Sequence, residues 1–107
     1  MSEALLSISF NELCQLEGIE SQLIIEIVEY EIVSPLNKQQ APNDQQWLFD
    51  TSSIHWIKKA LRLRHDLEID WVAIAIVIKL MRQKEALQKE NDAIRRQLRR
   101  FVKNEIN

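Results

Sequence analysis

The residue spacing predicts a mainly α-helical protein, with a winged helix-turn-helix-like head, a small β-hairpin wing and a long C-terminal coiled-coil helix. The 107 residues include one Gly and two Pro, and this scarcity favours helices over a turn-rich β-architecture. Apolar residues recur at helical spacing in four segments, the last of which runs from Trp71 without Gly or Pro. We therefore expect a head over residues 1–70, with its wing at 33–49, and a long helix over 71–107 that dimerises from about residue 77.

Caps and apolar positions predict the first two helices. Ser9 is an N-cap candidate with Glu12 three residues on, and helical spacing runs from Phe10 to Leu16. Gly18 interrupts this pattern, and a second helix opens at residues 20–21. A helix, a glycine turn and another helix within about 24 residues have the size of a helix-turn-helix.

The segment after the second helix is predicted to form the wing. Pro35 ends that helix, because proline lacks an N–H and pushes the preceding residue toward extended geometry. The polar stretch 37–46 is predicted to be an exposed loop, and the flanking segments 33–36 and 47–49 could pair as a short hairpin. The alternative is an irregular loop held in place by Trp47 and Phe49 in the core.

Two further helices complete the predicted head and the long helix. N-cap candidates at residues 50–52 predict a third helix that ends at about Leu67. Asp70 is expected to cap a fourth helix that runs to about Lys103. Its first part, residues 71–81, is apolar nearly all round and is expected to pack on the head.

A heptad pattern in the fourth helix predicts self-association. With Leu80 at position d, apolar residues recur every seven positions, and Asn91 falls at an a position, where a polar residue fixes register. The alternative is that the helix folds back on its own head. The relative orientation of the two paired helices stays open. A parallel pair would bring Glu90 to Arg95 of the other chain, which is a favourable contact. The predicted self-association residues are Leu80, Leu87, Asn91, Ile94, Leu98 and Phe101.

Formal charge is divided unequally along the chain. Residues 1–50 carry a balance of −8, with Lys38 as their one base, whereas residues 51–107 carry +6. Such asymmetry indicates partners or self-association. No uncharged apolar run reaches the roughly 18 residues of a membrane span, and the acidic start does not resemble a signal peptide. The single Cys14 fits a reducing cytoplasm, so we expect a cytoplasmic protein with no membrane association.

The sequence offers no candidate for catalysis. It has no glycine-rich phosphate loop and no paired Cys for zinc. His55 and His65 are ten residues apart, too far to share a metal ion, and Cys14 stands among apolar residues typical of a buried, unreactive thiol. We therefore expect no enzyme activity, cofactor, metal or small-molecule substrate.

The predicted layout resembles the MerR-type regulators, and the segments 47–50 and 61–64 are similar to that family. A MerR-like fold is the implied expectation, and with it antiparallel pairing of the long helices. A DNA-binding transcriptional regulator is the alternative function. Charge argues against DNA binding by this head, because neutralising DNA phosphates and reading base edges both require Arg and Lys side chains. The second helix carries acids and no base, and the wing offers only Lys38. We therefore expect no direct binding to nucleic acid.

Several motifs also resemble the chaperone-modulator family CbpM, which is MerR-like in fold. They are Phe10-Asn11-Glu12-Leu13-Cys14 with Gly18-Ile19, Trp47-Leu48-Phe49-Asp50, Leu61-Arg62-Leu63-Arg64-His65-Asp66-Leu67, Asp70-Trp71, Leu87-Gln88-Lys89-Glu90-Asn91 and Arg99-Arg100-Phe101-Val102. Running in order from residue 10 to 102, they cover nearly the whole chain. The 61–67 stretch and the Asp-Trp pair are the more specific of them.

This resemblance implies that the chain binds the J-domain of the DnaJ-like co-chaperone CbpA. It would inhibit both the co-chaperone activity and the DNA binding of CbpA, by competing with DnaK, and together with that partner it would be associated with the nucleoid. A J-domain presents a basic helix, which an acidic head would complement. The predicted J-domain-binding residues are Glu26, Glu29 and Glu31, and a homodimer is expected through the long helix.

Overall fold

A computed structural model describes residues 6–106 and has a mainly helical fold with a small antiparallel sheet. The predicted fold class is confirmed. A 3-10 turn, Asp44–Gln46, precedes the second strand. In chain order the other elements are β1 (Ser7–Ser9), α1 (Phe10–Glu17), α2 (Ser21–Glu29), β2 (Leu48–Asp50), α3 (Ser52–Leu67) and α4 (Trp71–Ile106).

The first helical pair forms as its caps predict. Ser9 Oγ accepts from the Glu12 amide at 3.1 Å, and the Glu12 carboxylate accepts from the Ser9 amide at 3.1 Å, which completes a capping box. Gly18 ends α1 in the left-handed conformation, with φ of 64°, where a side chain would be strained. The chain therefore turns within a few residues and enters α2.

The predicted pairing of the strands was wrong. β2 pairs antiparallel with β1, so that Ile8 lies opposite Phe49, and not with residues 33–36. Both Ile8 and Phe49 are buried, so this pairing contributes apolar surface to the core. The 33–49 segment is an irregular loop, as in the alternative prediction, and it contacts the edge of β2 through a bond from the Leu36 amide to the Leu48 carbonyl at 2.7 Å.

One core joins the sheet to all four helices. Its fully buried members include Leu13 of α1, Ile24 of α2, Phe49 of β2, Ile57 of α3 and Ile74 of α4. Asp70 Oδ1 accepts from the Ala73 amide at 3.0 Å, which starts α4 at the predicted cap. The first turns of α4 are thus fixed by the head.

The second half of α4 leaves the head altogether. Every residue from Gln83 to Asn104 is exposed, so the described part of the chain does not fold the helix back on itself. None of the helices within residues 6–106 is long and apolar enough to cross a membrane. The molecule therefore presents two candidate surfaces, one on the head and one along the free part of α4.

Candidate partner-binding surfaces on the head and the long helix

The end of α2 displays acidic residues around an exposed aromatic ring. Glu29 and Glu31 are exposed, and Tyr30 between them is 44% exposed. The Ile32 amide donates to the Ile27 carbonyl and the Glu31 amide to the Val28 carbonyl, both at 3.0 Å, which is a Schellman ending. Glu31 occupies the left-handed position of this Schellman ending, with φ of 60°, where glycine is the usual residue.

Glu26 lies in a different environment from the other two predicted glutamates. Its carboxylate accepts a hydrogen bond from Trp71 Nε1 at 2.8 Å and one from Arg64 at 3.2 Å. The Arg64 guanidinium also lies 4.5 Å from the centroid of the Trp71 ring. Glu26 therefore does not project freely into water, because its half-buried side chain faces α3 and α4.

These contacts stabilise the charged form of Glu26. The Trp71 indole N–H bond lowers the pKa of the Glu26 carboxyl, Arg64 lowers it further, and partial burial opposes both effects. Glu26 thereby links α2 to the third and fourth helices. Of the three glutamates predicted to bind a partner, the structure leaves Glu29 and Glu31 free to contact one and uses Glu26 to hold α2 in place.

Tyr30 separates two open cavities along the first turns of α4. The one on the Glu31 side, of about 340 Å³, is also lined by Ile76 and Lys79. The cavity on the other side, of about 510 Å³, is lined by residues of the α3–α4 turn and by Val72. Val72 and Ile76 are 56% and 57% exposed. We call this surface the Tyr30 groove and define it by Tyr30, Glu31, Glu68, Asp70, Val72 and Ile76.

Sequence reasoning did not find most of the Tyr30 groove. Glu68, like Glu31, is a glutamate with positive φ, 52°, at the end of a helix. These two are the non-glycine residues with positive φ among those the structure describes. No local pattern marks such positions, because the usual signal is a Gly or Asn at the helix end. Tyr30 could have been noticed as an aromatic residue beyond the apolar stripe of α2.

All six residues predicted for self-association lie exposed on α4. They include large apolar side chains such as Leu87, which is 65% exposed. Exposed apolar residues of α4 begin earlier than the predicted coiled coil, at Val72, on the side of the helix that faces away from the core. When the exposed amides Gln83 and Asn91 are included, the spacing follows steps of four, four and three residues, a period of eleven, and Phe101 extends one edge. We define the α4 stripe as Val72, Ile76, Leu80, Gln83, Leu87, Asn91, Ile94, Leu98 and Val102.

The groups that might support other chemistry lie apart. Cys14 is half-buried, and burial raises the pKa of its thiol, which disfavours the reactive thiolate. His65 is exposed, with Nδ1 3.1 Å from the Asp66 carboxylate, and His55 stacks edge-on against Trp56. Within residues 6–106 no three His, Cys, Asp or Glu side chains come together as metal ligands do.

Comparison with known proteins decides the family. A family model described as MerR HTH family regulatory protein matches residues 8–96, which span the head and most of α4. A chaperone modulatory protein CbpM from Pseudomonas putida is 32% identical over 101 residues, covering 94% of this chain and 96% of the relative. One from Escherichia coli O1:K1 is 33% identical over 102 residues, covering 95% and 97%. The chain belongs to the CbpM family.

Family membership agrees with the resemblance drawn from short motifs. The matched lengths cover nearly the whole chain, so the similarity is not confined to the head. The MerR match accounts for the helix-turn-helix geometry of α1 and α2. The acidic end of α2 is thus carried on a scaffold shared with regulatory proteins.

Proposed function

We propose that the chain is a chaperone modulator that binds the J-domain of a CbpA-type co-chaperone. It inhibits the co-chaperone and DNA-binding activities of that partner by competing with DnaK. The names of the relatives support modulation of a chaperone. The observation that carries the proposed surface is the exposed pair Glu29 and Glu31 at the end of α2, in a helix with no basic residue.

Charge complementarity supplies the recognition. The end of α2 presents its carboxylates on a backbone that is already ordered, and several carboxylates together speed the encounter with a basic surface. Glu29 and Glu31 would contact a basic J-domain helix directly, and Glu26 would position α2 through Trp71 and Arg64. Occupation of the basic helix would then exclude DnaK by competition.

The long helix supplies the second half of the proposal. Its exposed α4 stripe supports a homodimer, because apolar side chains in water are favoured to pair with another helix. The proposed activity takes place in the cytoplasm between protein partners and uses no small-molecule substrate or cofactor.

The test is a calorimetric titration of the full chain against a purified CbpA-type J-domain. The double variant Glu29→Lys, Glu31→Lys should bind about tenfold or more weakly, since two exposed ion pairs of about 0.2–1 kcal/mol each are replaced by repulsion. Its affinity should also depend less steeply on salt, because fewer opposite charges meet at the interface.

The matched control reverses two other exposed glutamates and leaves both proposed contacts intact. Glu20→Lys, Glu85→Lys gives the same change in net charge, at the far end of α2 and on the long helix. This control should retain most of the wild-type affinity. Equal weakening by the two double variants would show a response to net charge only and would remove the end of α2 from the proposal.

The family match favours one alternative, a MerR-type DNA-binding transcriptional regulator. Basic residues on α3 would have to supply its phosphate contacts, but the nearest to α1, Lys58, is paired with Glu17 at 2.9 Å. Duplex DNA titrated under the same conditions separates the two functions. Saturable DNA binding without J-domain binding would establish the alternative.

A further inference from the structure

The far end of α4 carries a strongly basic surface. Residues 95–103 hold five bases and no acid, whereas the chain as a whole has a net charge of −2. All five side chains are exposed, and none of them takes part in an ion pair among the described residues. We call this surface the basic face and define it by Arg95, Arg96, Arg99, Arg100 and Lys103.

The basic face lies on the opposite side of α4 from the α4 stripe. At about 100° per residue, the five bases occupy an arc of about 140°, and the centre of this arc is about 150° from the midpoint between Ile94 and Leu98. A second helix paired on the stripe therefore leaves the bases accessible. Neither the acidic end of α2 nor the proposed dimer accounts for these five charges.

The basic face is also distant from the acids of its own head. α4 leaves the head after Arg82, and Arg95 lies 13 residues further along, about 20 Å at a rise of about 1.5 Å per residue. The Debye length is about 8 Å at physiological salt, so exposed charges of the head are largely screened over this distance. Asp92, one turn before Arg96, is the nearest acid on the same side of the helix. The charge argument against DNA binding by the head therefore does not extend to the basic face.

The five bases form two rows along the helix. Arg95, Arg99 and Lys103 follow one another every four residues, and Arg96 and Arg100 do the same, so neighbours within a row are about 6 Å apart. The two rows are about 80° apart around the helix axis. When such a helix lies in a groove, one row faces each wall.

Duplex DNA offers phosphates in a matching arrangement. Its major groove is about 12 Å wide, admits one α-helix and is bordered on each side by the phosphates of one strand. Four of the five bases are Arg, whose planar guanidinium binds phosphate through two parallel hydrogen bonds. A bilayer fits less well, because an interfacial helix also inserts its apolar side, and the proposed dimer covers the stripe.

From these observations we propose that the basic face binds duplex DNA by placing the end of α4 in the major groove. The contacts are to phosphates, which carry no sequence information, so the binding does not depend on base sequence. The head takes no part in it. This second interaction surface lies at the far end of α4 from the acids of α2, and it does not rest on the proposed binding of a J-domain.

Fluorescence anisotropy of the full chain with a labelled, mixed-sequence DNA duplex tests the proposal. If all five bases contact phosphates, the logarithm of the association constant should fall against the logarithm of salt concentration with a slope of about −4.5. The affinity should then drop about 500-fold between about 50 and 200 mM salt. A slope near zero, or no binding at the lowest salt, would overturn the proposal.

Two double variants test the rows separately. Arg96→Gln, Arg100→Gln and Arg95→Gln, Arg99→Gln each remove two phosphate contacts and replace them with a good helix former. Each should lower the magnitude of the salt slope by about 1.8, which leaves an affinity drop of about 40-fold over the same range. A loss in one double variant but not in the other would contradict the placement of one row at each wall of the groove.

The matched control removes the same charge from the head. Lys38→Gln, Arg62→Gln neutralises two exposed bases and should keep the wild-type slope. An equal loss in this control would show a response to net charge only. DNA binding that survives both row variants would place the site on the head, as in a MerR-type regulator, and would overturn the proposal.

A further titration separates a membrane from DNA. Vesicles of phosphatidylglycerol replace the duplex, and binding to the vesicles without binding to the duplex would assign the basic face to a lipid surface instead. Sedimentation equilibrium and circular dichroism of every variant verify that association and helix content match those of the wild type. None of these measurements contains a co-chaperone, so J-domain binding stands or falls separately.

Discussion

The two halves of α4 are one continuous helix in two different environments. Over residues 71–82 one side packs into the head, and Ile74 and Ile78 are fully buried there. Over residues 83–104 every side chain is exposed, although aliphatic residues still recur along one face. The first half has its partner within the chain, and the second half has none among the residues described.

This difference indicates what holds each half helical. The first half draws on tertiary packing, which supplies most helical stability in proteins. The second half has no packing partner among the described residues, so it depends on local helix propensity and on the pairing of the proposed dimer. The head should therefore respond to core changes at any protein concentration, and the second half should respond to dilution.

The largest effect is expected from a cavity in the head. Ile74→Ala removes a fully buried side chain of α4 and should lower the free energy of unfolding by about 2–5 kcal/mol. Urea denaturation followed by far-ultraviolet circular dichroism measures it, with Leu16→Ala, exposed on α1, as the control. A loss that disappears at high protein concentration would contradict the assignment of Ile74 to the head core.

The next effect is expected at the centre of the α4 stripe. Leu87→Arg places a charge at the centre of the α4 stripe, which the proposed dimer would bury, and should shift the chain from dimer to monomer by at least about tenfold in dissociation constant. Sedimentation equilibrium measures the shift, and the unpaired second half should lose helical signal while the head keeps its unfolding midpoint. Lys89→Arg, off the stripe, is the control, and an unchanged dimer in Leu87→Arg would contradict the proposed interface.

Local chemistry allowed much of the head to be predicted from the sequence. The capping box at Ser9 and Glu12, the Gly18 turn and the Asp70 cap each involve residues within three or four positions, and all three formed as expected. The partner of β2 was mispredicted because β1 lies about forty residues earlier and is only three residues long. Strand pairing over that distance depends on which apolar faces reach the core, which spacing does not show.

The candidate surfaces also contain some features that the sequence predicted and some that it did not. The exposure of Glu29 and of the second half of the α4 stripe followed from periodicity, since apolar spacing on α2 and α4 indicates which faces can be buried. The exposure of Val72 and Ile76 did not, because residues 71–81 are apolar nearly all round. The position of Glu26 did not, because its partner Trp71 is 45 residues away. The Tyr30 groove combines the ends of two helices with the side of a third, and no segment of sequence contains that combination.

A smaller effect, confined to the head, is expected at Glu31. A non-glycine residue in the left-handed region costs roughly 1 kcal/mol, so Glu31→Gly should raise the free energy of unfolding by about that amount. The same change should weaken J-domain binding if the carboxylate is used as proposed. Thermal denaturation and titration of one variant measure both, with Glu31→Asn as a second left-handed-tolerant residue; a variant that is less stable than wild type would contradict the strain argument.

The smallest effect is expected from the pH response of Glu26. Because folding lowers the pKa of this carboxyl, its charged form stabilises the head above its ordinary value of 4.5, and that contribution is lost as pH falls through the lower folded value. Glu26→Gln keeps an acceptor for the Trp71 indole but cannot ionise, so wild type should exceed it in stability at neutral pH and by less toward pH 3. Urea midpoints across this range measure the difference. Glu20→Gln is the control, because the Glu20 side chain makes no capping hydrogen bond at the start of α2. A constant difference between wild type and Glu26→Gln would mean that the link between α2 and α4 depends on shape and hydrogen bonding and not on charge.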